Sequence, residues 1–190
     1  MMIQAVIFDC FGVLVEDSMN AFFRKYLASQ PEIVKQIKIL DHESAEGKIS
    51  WSELVDNIVQ LTNIDRVEIE QFLDKNPQNL PLFDYISTEL KPYYKLGFLS
   101  NTADDWLKEL FSPEQLALFD DFVLSYQHNI RKPDRAIFEL AAKRLNVLPT
   151  ECILVDDVME YCQGANEVGM HTIQYVSFDQ VKSDIARLIK

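Results

Sequence analysis

Four polar clusters stand where short apolar runs end, and their residue types suit the handling of a phosphoryl group beside a divalent cation. Asp9 closes the run Ala5-Val6-Ile7-Phe8 just before Gly12. Ser100-Asn101-Thr102 follows the run from Lys95 to Leu99, Arg131-Lys132-Pro133-Asp134 follows Phe122 to Leu124 by a short loop, and Asp156-Asp157 closes Cys152 to Val155. A charge at the end of a buried strand is costly unless something compensates it. Crowded carboxylates repel one another, and a divalent cation relieves the repulsion. Ligands that are all oxygen point to magnesium, which keeps some water and takes one or two carboxylates plus a phosphate. Lys132 adds positive charge, Ser100 a hydroxyl, and the loop amides further donors for phosphate oxygens. Taken singly, Asp9 reads as a turn cap, Ser100-Asn101-Thr102 as a helix N-cap and Lys132 as a loop lysine. Asp156-Asp157 has no such simple role, and four polar groups at four successive run ends read as one site. An acid two residues after Asp9 would give a nucleophile its own proton donor; Phe11 stands there instead.

The elements that must hold these residues follow from the pattern. Five runs have strand character: Ile3 to Phe8, Lys95 to Leu99, Phe122 to Leu124, Cys152 to Val155 and Thr172 to Val176. Helical patterns separate the second to fifth, the rhythm of a parallel sheet covered on both faces. Ile137, Leu140, Ala141 and Leu145 have helix spacing behind Pro133, and Ser112-Pro113-Glu114-Gln115 is a helix start. Ligands of such sheets bind at the carboxyl ends of the strands. Between the first two runs lie about eighty residues without a strand signal, too long for an ordinary crossover. Ser50-Trp51-Ser52-Glu53 and Asp65-Arg66-Val67-Glu68 are capping-box patterns there, and Leu54, Ile58 and Leu61 share a helix face. The expected architecture is therefore α/β, with a catalytic core over residues 1–15 and 82–190 and a small helical cap over residues 16–81.

Composition bounds the function. The chain of 190 residues can bury a substantial core, and its net charge of −12 argues against nucleic acid or an anionic membrane as partner. Cys10, Cys152 and Cys162 are odd in number and lack paired spacing, so they read as reduced core residues of a cytoplasmic protein. The short apolar N-terminal run, with no basic stretch before it, reads as neither signal peptide nor membrane span.

Over nearly its full length the chain resembles the haloacid dehalogenase (HAD) superfamily. Phe8-Asp9-Cys10-Phe11-Gly12-Val13-Leu14 is similar to its first motif, Leu99-Ser100-Asn101-Thr102 to the second, Arg131-Lys132-Pro133-Asp134 with Ile137-Phe138 to the third, and Val155-Asp156-Asp157 with Gly164-Ala165 and Gly169-Met170 to the fourth. The resemblance implies a Rossmann-like parallel sheet with helices on both faces and a helical C1 cap inserted after the first strand. It implies Asp9 as covalent nucleophile, Ser100 and Asn101 as holders of the transferring group, Lys132 as the cation steadying nucleophile and substrate, and a Mg2+ ion on Asp9, Asp156, Asp157 and the Phe11 backbone carbonyl.

Two departures set the choice of reaction. Phe11 replaces the general acid of most phosphatases of the family, and Tyr161 stands where a further acid or amide often helps hold the metal, with Glu160 beside it. A phosphatase without that acid favours leaving groups that need little protonation, such as sugar phosphates esterified at the anomeric carbon, unless Glu16 or Asp17 reaches in from the cap. Halide displacement, as in the family's dehalogenases, needs no such acid and tolerates an aromatic at Phe11, but those enzymes need no metal. A degenerate member that only binds a phosphorylated ligand is the third reading. Trp51, Trp106 and Phe22-Phe23 are candidates for a pocket wall or for core, and His42 and His128 show no partner pattern.

Overall fold

In the computed structural model, which describes residues 2–189, the elements run in the order expected of repeated strand–helix units. They are β1 (Ala5–Phe8), α1 (Ser18–Tyr26), α2 (Pro31–Ala45), α3 (Trp51–Thr62), α4 (Arg66–Leu73), α5 (Leu80–Tyr85), β2 (Lys95–Ser100), α6 (Leu107–Leu110), α7 (Pro113–Leu116), β3 (Asp121–Leu124), α8 (Arg135–Arg144), β4 (Cys152–Asp156), α9 (Met159–Glu167), β5 (His171–Gln174) and α10 (Phe178–Leu188). The five strands form one parallel sheet in the order β3-β2-β1-β4-β5. This is a Rossmann-like α/β fold. The outer residues of the expected core, 1 and 190, lie outside the described residues.

Successive strand residues point to opposite faces, and both faces are covered. Val6, Phe8, Phe98 and Val155 pack on one side with Leu82 and Ile86, which follow helices α1 to α4, and with Val181 and Ile185 of α10. Ala5, Ile7, Leu99 and Leu154 pack on the other with Ile137, Phe138 and Ala141 of α8 and Ala165 of α9. Every residue of β1 and β4 is buried, which is why these strands read as unbroken apolar runs. Each fully buried Ile, Leu or Phe contributes about 1.5–3 kcal/mol by leaving water.

The strand limits differ slightly from the apolar runs. Pairing of β1 begins at Ala5, opposite Lys95 and Cys152, although Ile3 is also buried. Strand β5 stops at Gln174 because its partner β4 ends at Asp156. Ser100 and Asp156 are themselves last strand residues: the backbone ladder continues beneath a polar side chain, as when the Tyr175 amide donates to the Asp156 carbonyl at 2.9 Å.

Helices α1 to α4 enclose an apolar cluster of their own, built on Phe22, Leu27, Ile37, Leu54, Ile58 and Ile69. Ser50 and Glu53 form the expected reciprocal capping box of α3, and Ser112 with Gln115 that of α7. Asp65 caps α4, but Glu68 accepts from the Tyr26 hydroxyl at 2.8 Å instead of turning back on the cap.

On α9, Gly164 allows the helix to approach the loop that carries Lys132: a Cβ there would lie 2.7 Å from the Pro133 carbonyl oxygen. Gly164→Ala gains about 1 kcal/mol of helix propensity but overpacks against backbone, which costs about 1–3 kcal/mol. Urea unfolding of Gly164→Ala should therefore show a net loss of stability of up to about 2 kcal/mol; a variant more stable than the parent would refute the tight contact.

Candidate active site

The strand order reverses beside β1, and a crevice forms at such a switch point. Here β1 and β4 lie side by side with Phe8 opposite Val155, so Asp9 and Asp156 emerge at one level. Between them the Lys132 ammonium is wholly buried, 2.8 Å from Asp9 Oδ1 and 2.6 Å from Asp156 Oδ2. Its third proton is directed to the Leu99 carbonyl at 3.3 Å, which exhausts the three donors of an ammonium. The Tyr161 ring covers it with its centroid 5.0 Å from Nζ. Burial pulls the ammonium pKa down, but Asp156 and Asp9 more than offset this and hold it above the usual lysine value.

Asp9 Oδ1 also accepts from the Cys10 amide at 2.7 Å. With Lys132 that makes two strong donors on one oxygen, while Oδ2 has no hydrogen bond among the described residues. Asp157 stands against the turn after β1. Gly12 has φ +87°, and a Cβ there would lie 2.5 Å from Asp157 Oδ2, so the glycine answers both a backbone and a space requirement. One carboxylate oxygen each from Asp9, Asp156 and Asp157 lie within 4.8 Å of one another.

The electrostatics call for another cation. Burial pushes the Asp9 carboxyl up to about 8; Lys132 opposes this only in part, and Asp156 and Asp157 push the same way as burial. Burial and Asp156 raise Asp157 to about 6. A three-carboxylate, all-oxygen donor set of this kind fits Mg2+.

Asn101 clamps the Lys132 backbone: its Oδ1 accepts from the Lys132 amide at 2.8 Å and its Nδ2 donates to the Lys132 carbonyl at 3.0 Å. The Ser100 side chain is buried at the end of β2, with only a 3.5 Å contact to the Asn101 carbonyl. It faces a small side pocket with Cys10 and Phe11, whereas Asn101, Thr102 and Ala103 line the main cavity.

That cavity, about 350 Å³, lies between the strand ends and helices α1 to α3, and Asp9, Lys132 and Asp157 line it. Phe11 meets Trp106 edge-on at 6.0 Å, and Trp106 meets Trp51 of α3 at 4.8 Å. These three aromatics and Phe23 form cavity wall, while Phe22 is in the cluster beneath. Asp17 borders the cavity, but both its oxygens accept from Asn20 in capping α1. Glu160 is an exposed residue of the rim, and Glu16 is not part of the lining.

The sequence pattern did not single out Lys38, Asp41 or His42, which α2 brings to the cavity. Their spacing i, i+3, i+4 puts them on one face of α2, but that spacing does not show that the face looks toward Asp9. His42 Nδ1 lies 3.0 Å from Arg131 Nη2; burial and Arg131 lower its pKa, which keeps the ring neutral and accepting. Arg131 also donates to Glu46 at 3.1 Å and to the Lys132 carbonyl at 2.9 Å, tying α2 to the loop of Lys132. Burial and Asp17 push Asp41 up to about 6, against Arg131 and Lys38. His128 Nε2 is buried without a hydrogen-bond partner among the described residues. The three cysteines are buried and free. No helix among the described residues is long and apolar enough to cross a membrane.

Residues 3–169 match the model of the haloacid dehalogenase-like hydrolase family. The chain belongs to this family. It is 29% identical over 192 residues to the D-ribitol-5-phosphate phosphatase of Bacteroides thetaiotaomicron, covering 91% of this chain and 92% of that protein. It is 25% identical over 190 residues to the 6-phosphogluconate phosphatase of Escherichia coli, covering 91% and 82%. Among solved structures, a HAD family enzyme of Bacteroides thetaiotaomicron in complex with magnesium and inorganic phosphate superposes with a TM-score of 0.71 at 21% identity, covering 94% of this chain and 98% of that one. In this HAD-like hydrolase Phe11 and Tyr161 each have a defined contact: Phe11 builds the cavity wall and Tyr161 covers Lys132.

Removing Lys132 strands two buried carboxylates, a loss of about 3–5 kcal/mol. Lys132→Met should be destabilised by that amount at pH 8 in metal-free buffer. The deficit should shrink toward pH 5, because stranded carboxyls in the folded state take up protons that the unfolded chain does not yet bind, and stability then rises as pH falls. Urea unfolding at the two pH values measures both; a loss under about 1 kcal/mol at pH 8 would contradict the buried ion cluster.

Proposed function

We propose that this HAD-like hydrolase is a magnesium-dependent phosphatase of small phosphorylated metabolites, acting in the cytoplasm through a phospho-aspartate at Asp9. The observation that carries the reading is the buried Lys132 between Asp9 and Asp156, with Asp157 completing a three-carboxylate set. The two relatives that act on D-ribitol 5-phosphate and 6-phosphogluconate support a polyhydroxylated phosphate ester as substrate; both of those are esters of primary alcohols, so a preference among leaving groups rests on Phe11 and not on them.

Asp9, Asp156, Asp157 and the Phe11 carbonyl would hold Mg2+, which supplies positive charge for the phosphoryl oxygens. Asp9 Oδ2, the oxygen without a hydrogen bond, attacks phosphorus; the bond from phosphorus to the leaving oxygen breaks, and that oxygen takes up a proton. Lys132 and the Cys10 amide hold the other carboxylate oxygen and fix the line of attack. Asn101 keeps Lys132 in register, and the Ser100 hydroxyl would serve the transferring group by turning from its side pocket toward Asp9. Water then attacks the acyl phosphate, releasing inorganic phosphate and restoring Asp9. Positioning and charge carry most of a phosphoryl transfer, so the missing acid limits the leaving group, not the mechanism.

Without an acid at Phe11 the enzyme favours esters whose leaving groups need little protonation, anomeric sugar phosphates among them. General acid catalysis is worth about 10²–10⁴-fold. Rates across phosphate esters of graded leaving-group pKa, assayed with Mg2+ and with Asp9→Asn as control, should fall steeply as that pKa rises; a flat profile would sink the idea. Phe11→Asp should raise turnover of simple alkyl phosphates, and no gain would mean that the proton comes from elsewhere. The aromatic at Phe11 also suits halide displacement by Asp9, but that reaction has no use for three clustered carboxylates. Chloride release from 2-chloropropionate without magnesium would reverse the choice.

A further inference from the structure

We propose that Asp41, on helix α2, selects the leaving group, and that it selects a neutral, hydroxyl-bearing one such as the sugar of a hexose 1-phosphate over a leaving group that carries a second anion. The inference rests on the phosphatase reading and adds to it a residue and a substrate class.

Lys38, Asp41 and His42 line the same cavity as Asp9, but they differ in what they are free to do. His42 is engaged by Arg131. Lys38 is exposed, with its ammonium 6.0 Å from the Phe23 ring, so solvent screens it. Asp41 is half-buried and has no hydrogen bond or ion pair among the described residues, although the charges of Asp17, Arg131 and Lys38 act on it. A carboxylate partly withdrawn from water and left unpaired is costly until a donor completes it. Asp17, the neighbouring acid, has both oxygens committed to Asn20. Of the two carboxylates that α1 and α2 bring to the cavity, Asp41 is thus the one left without a donor among the described residues.

An ionised carboxylate only accepts hydrogen bonds, so its ligand must donate, and its two oxygens suit two hydroxyls on neighbouring carbons. The charge balance narrows the class further. Of the charged residues that line this part of the cavity, Asp17, Asp41 and Glu160 meet only the screened Lys38, while the nearby Arg131 is engaged by His42 and Glu46, so a carboxylate on the leaving group meets repulsion, whereas hydroxyls do not. The phosphate occupies the opposite end, beside Lys132.

The test compares kcat/KM for a hexose 1-phosphate, the corresponding hexuronic acid 1-phosphate and phenyl phosphate, which has no hydroxyls, in the parent enzyme, Asp41→Ala and Asp41→Asn, all with Mg2+. Alanine suits a helix interior, and turnover of phenyl phosphate reports that the variant is folded. In Asp41→Ala the preference for the hexose ester over phenyl phosphate should fall by about 10- to 100-fold, the worth of one charge-assisted hydrogen bond, and the fall should lie in KM. The hexuronic ester should gain on the hexose ester. Asp41→Asn should recover part of the hexose preference but not the discrimination against the second anion. Unchanged ratios beside good phenyl phosphate turnover would overturn the role of Asp41 alone. A loss in kcat that follows leaving-group pKa instead of hydroxyl content would overturn it too, by making Asp41 a proton donor. If the parent enzyme hydrolysed none of the three esters, the phosphatase reading would fall and this inference with it.

Discussion

A lysine ammonium with no access to solvent, bonded to two carboxylates at the centre of a parallel sheet, is the constraint on which the rest of this structure depends. Lys132 holds Asp9 and Asp156 together, and removing it would leave two carboxylates uncompensated at low dielectric. The surrounding elements serve that cluster. Asn101 grips the lysine backbone, Tyr161 covers its charge, and Gly164 lets α9 close on Pro133. With its three protons committed inward, Lys132 fixes Asp9 directly and can reach the cavity only through its charge.

Above this base the cavity is divided between the strand ends, which hold the reacting groups, and the α1–α3 side, which presents Phe23, Trp51 and Asp41. Arg131 is adjacent in sequence to Lys132 and bonded to His42 and Glu46 of the helical segment. A shift of α2 would therefore be felt one residue from the central cation. Phe11 has a parallel position on the other side: it follows Asp9 by two residues and reaches α3 through Trp106. Phe11 thus links the strand ends to the helices α1 to α4.

Much of this was legible in the sequence, and the physical reason is plain. Strands buried on both faces leave unbroken apolar runs, so polar residues at their ends stand out; Asp9, Ser100 and Asp156 were visible for that reason. Ser50 and Glu53 announced α3 because a capping box is local chemistry. What depends on long-range packing was not visible. Nothing in the run around residue 41 shows that α2 turns Asp41 and His42 toward Asp9, since half-buried polar residues on a helix look like any solvated face. Glu68, 42 residues from the tyrosine it accepts from, left its capping box for the same kind of reason.

The central claim is that Asp9 carries the phosphoryl group between two half-reactions. Rapid quenching of the enzyme during turnover of acetyl phosphate with Mg2+, followed by peptide mapping by mass spectrometry, tests it most directly. The account predicts one added phosphoryl group on the peptide containing Asp9, absent from Asp9→Asn and absent when magnesium is chelated. Turnover that proceeds with Asp9 unmodified at every quench time, or that survives in Asp9→Asn, would contradict it.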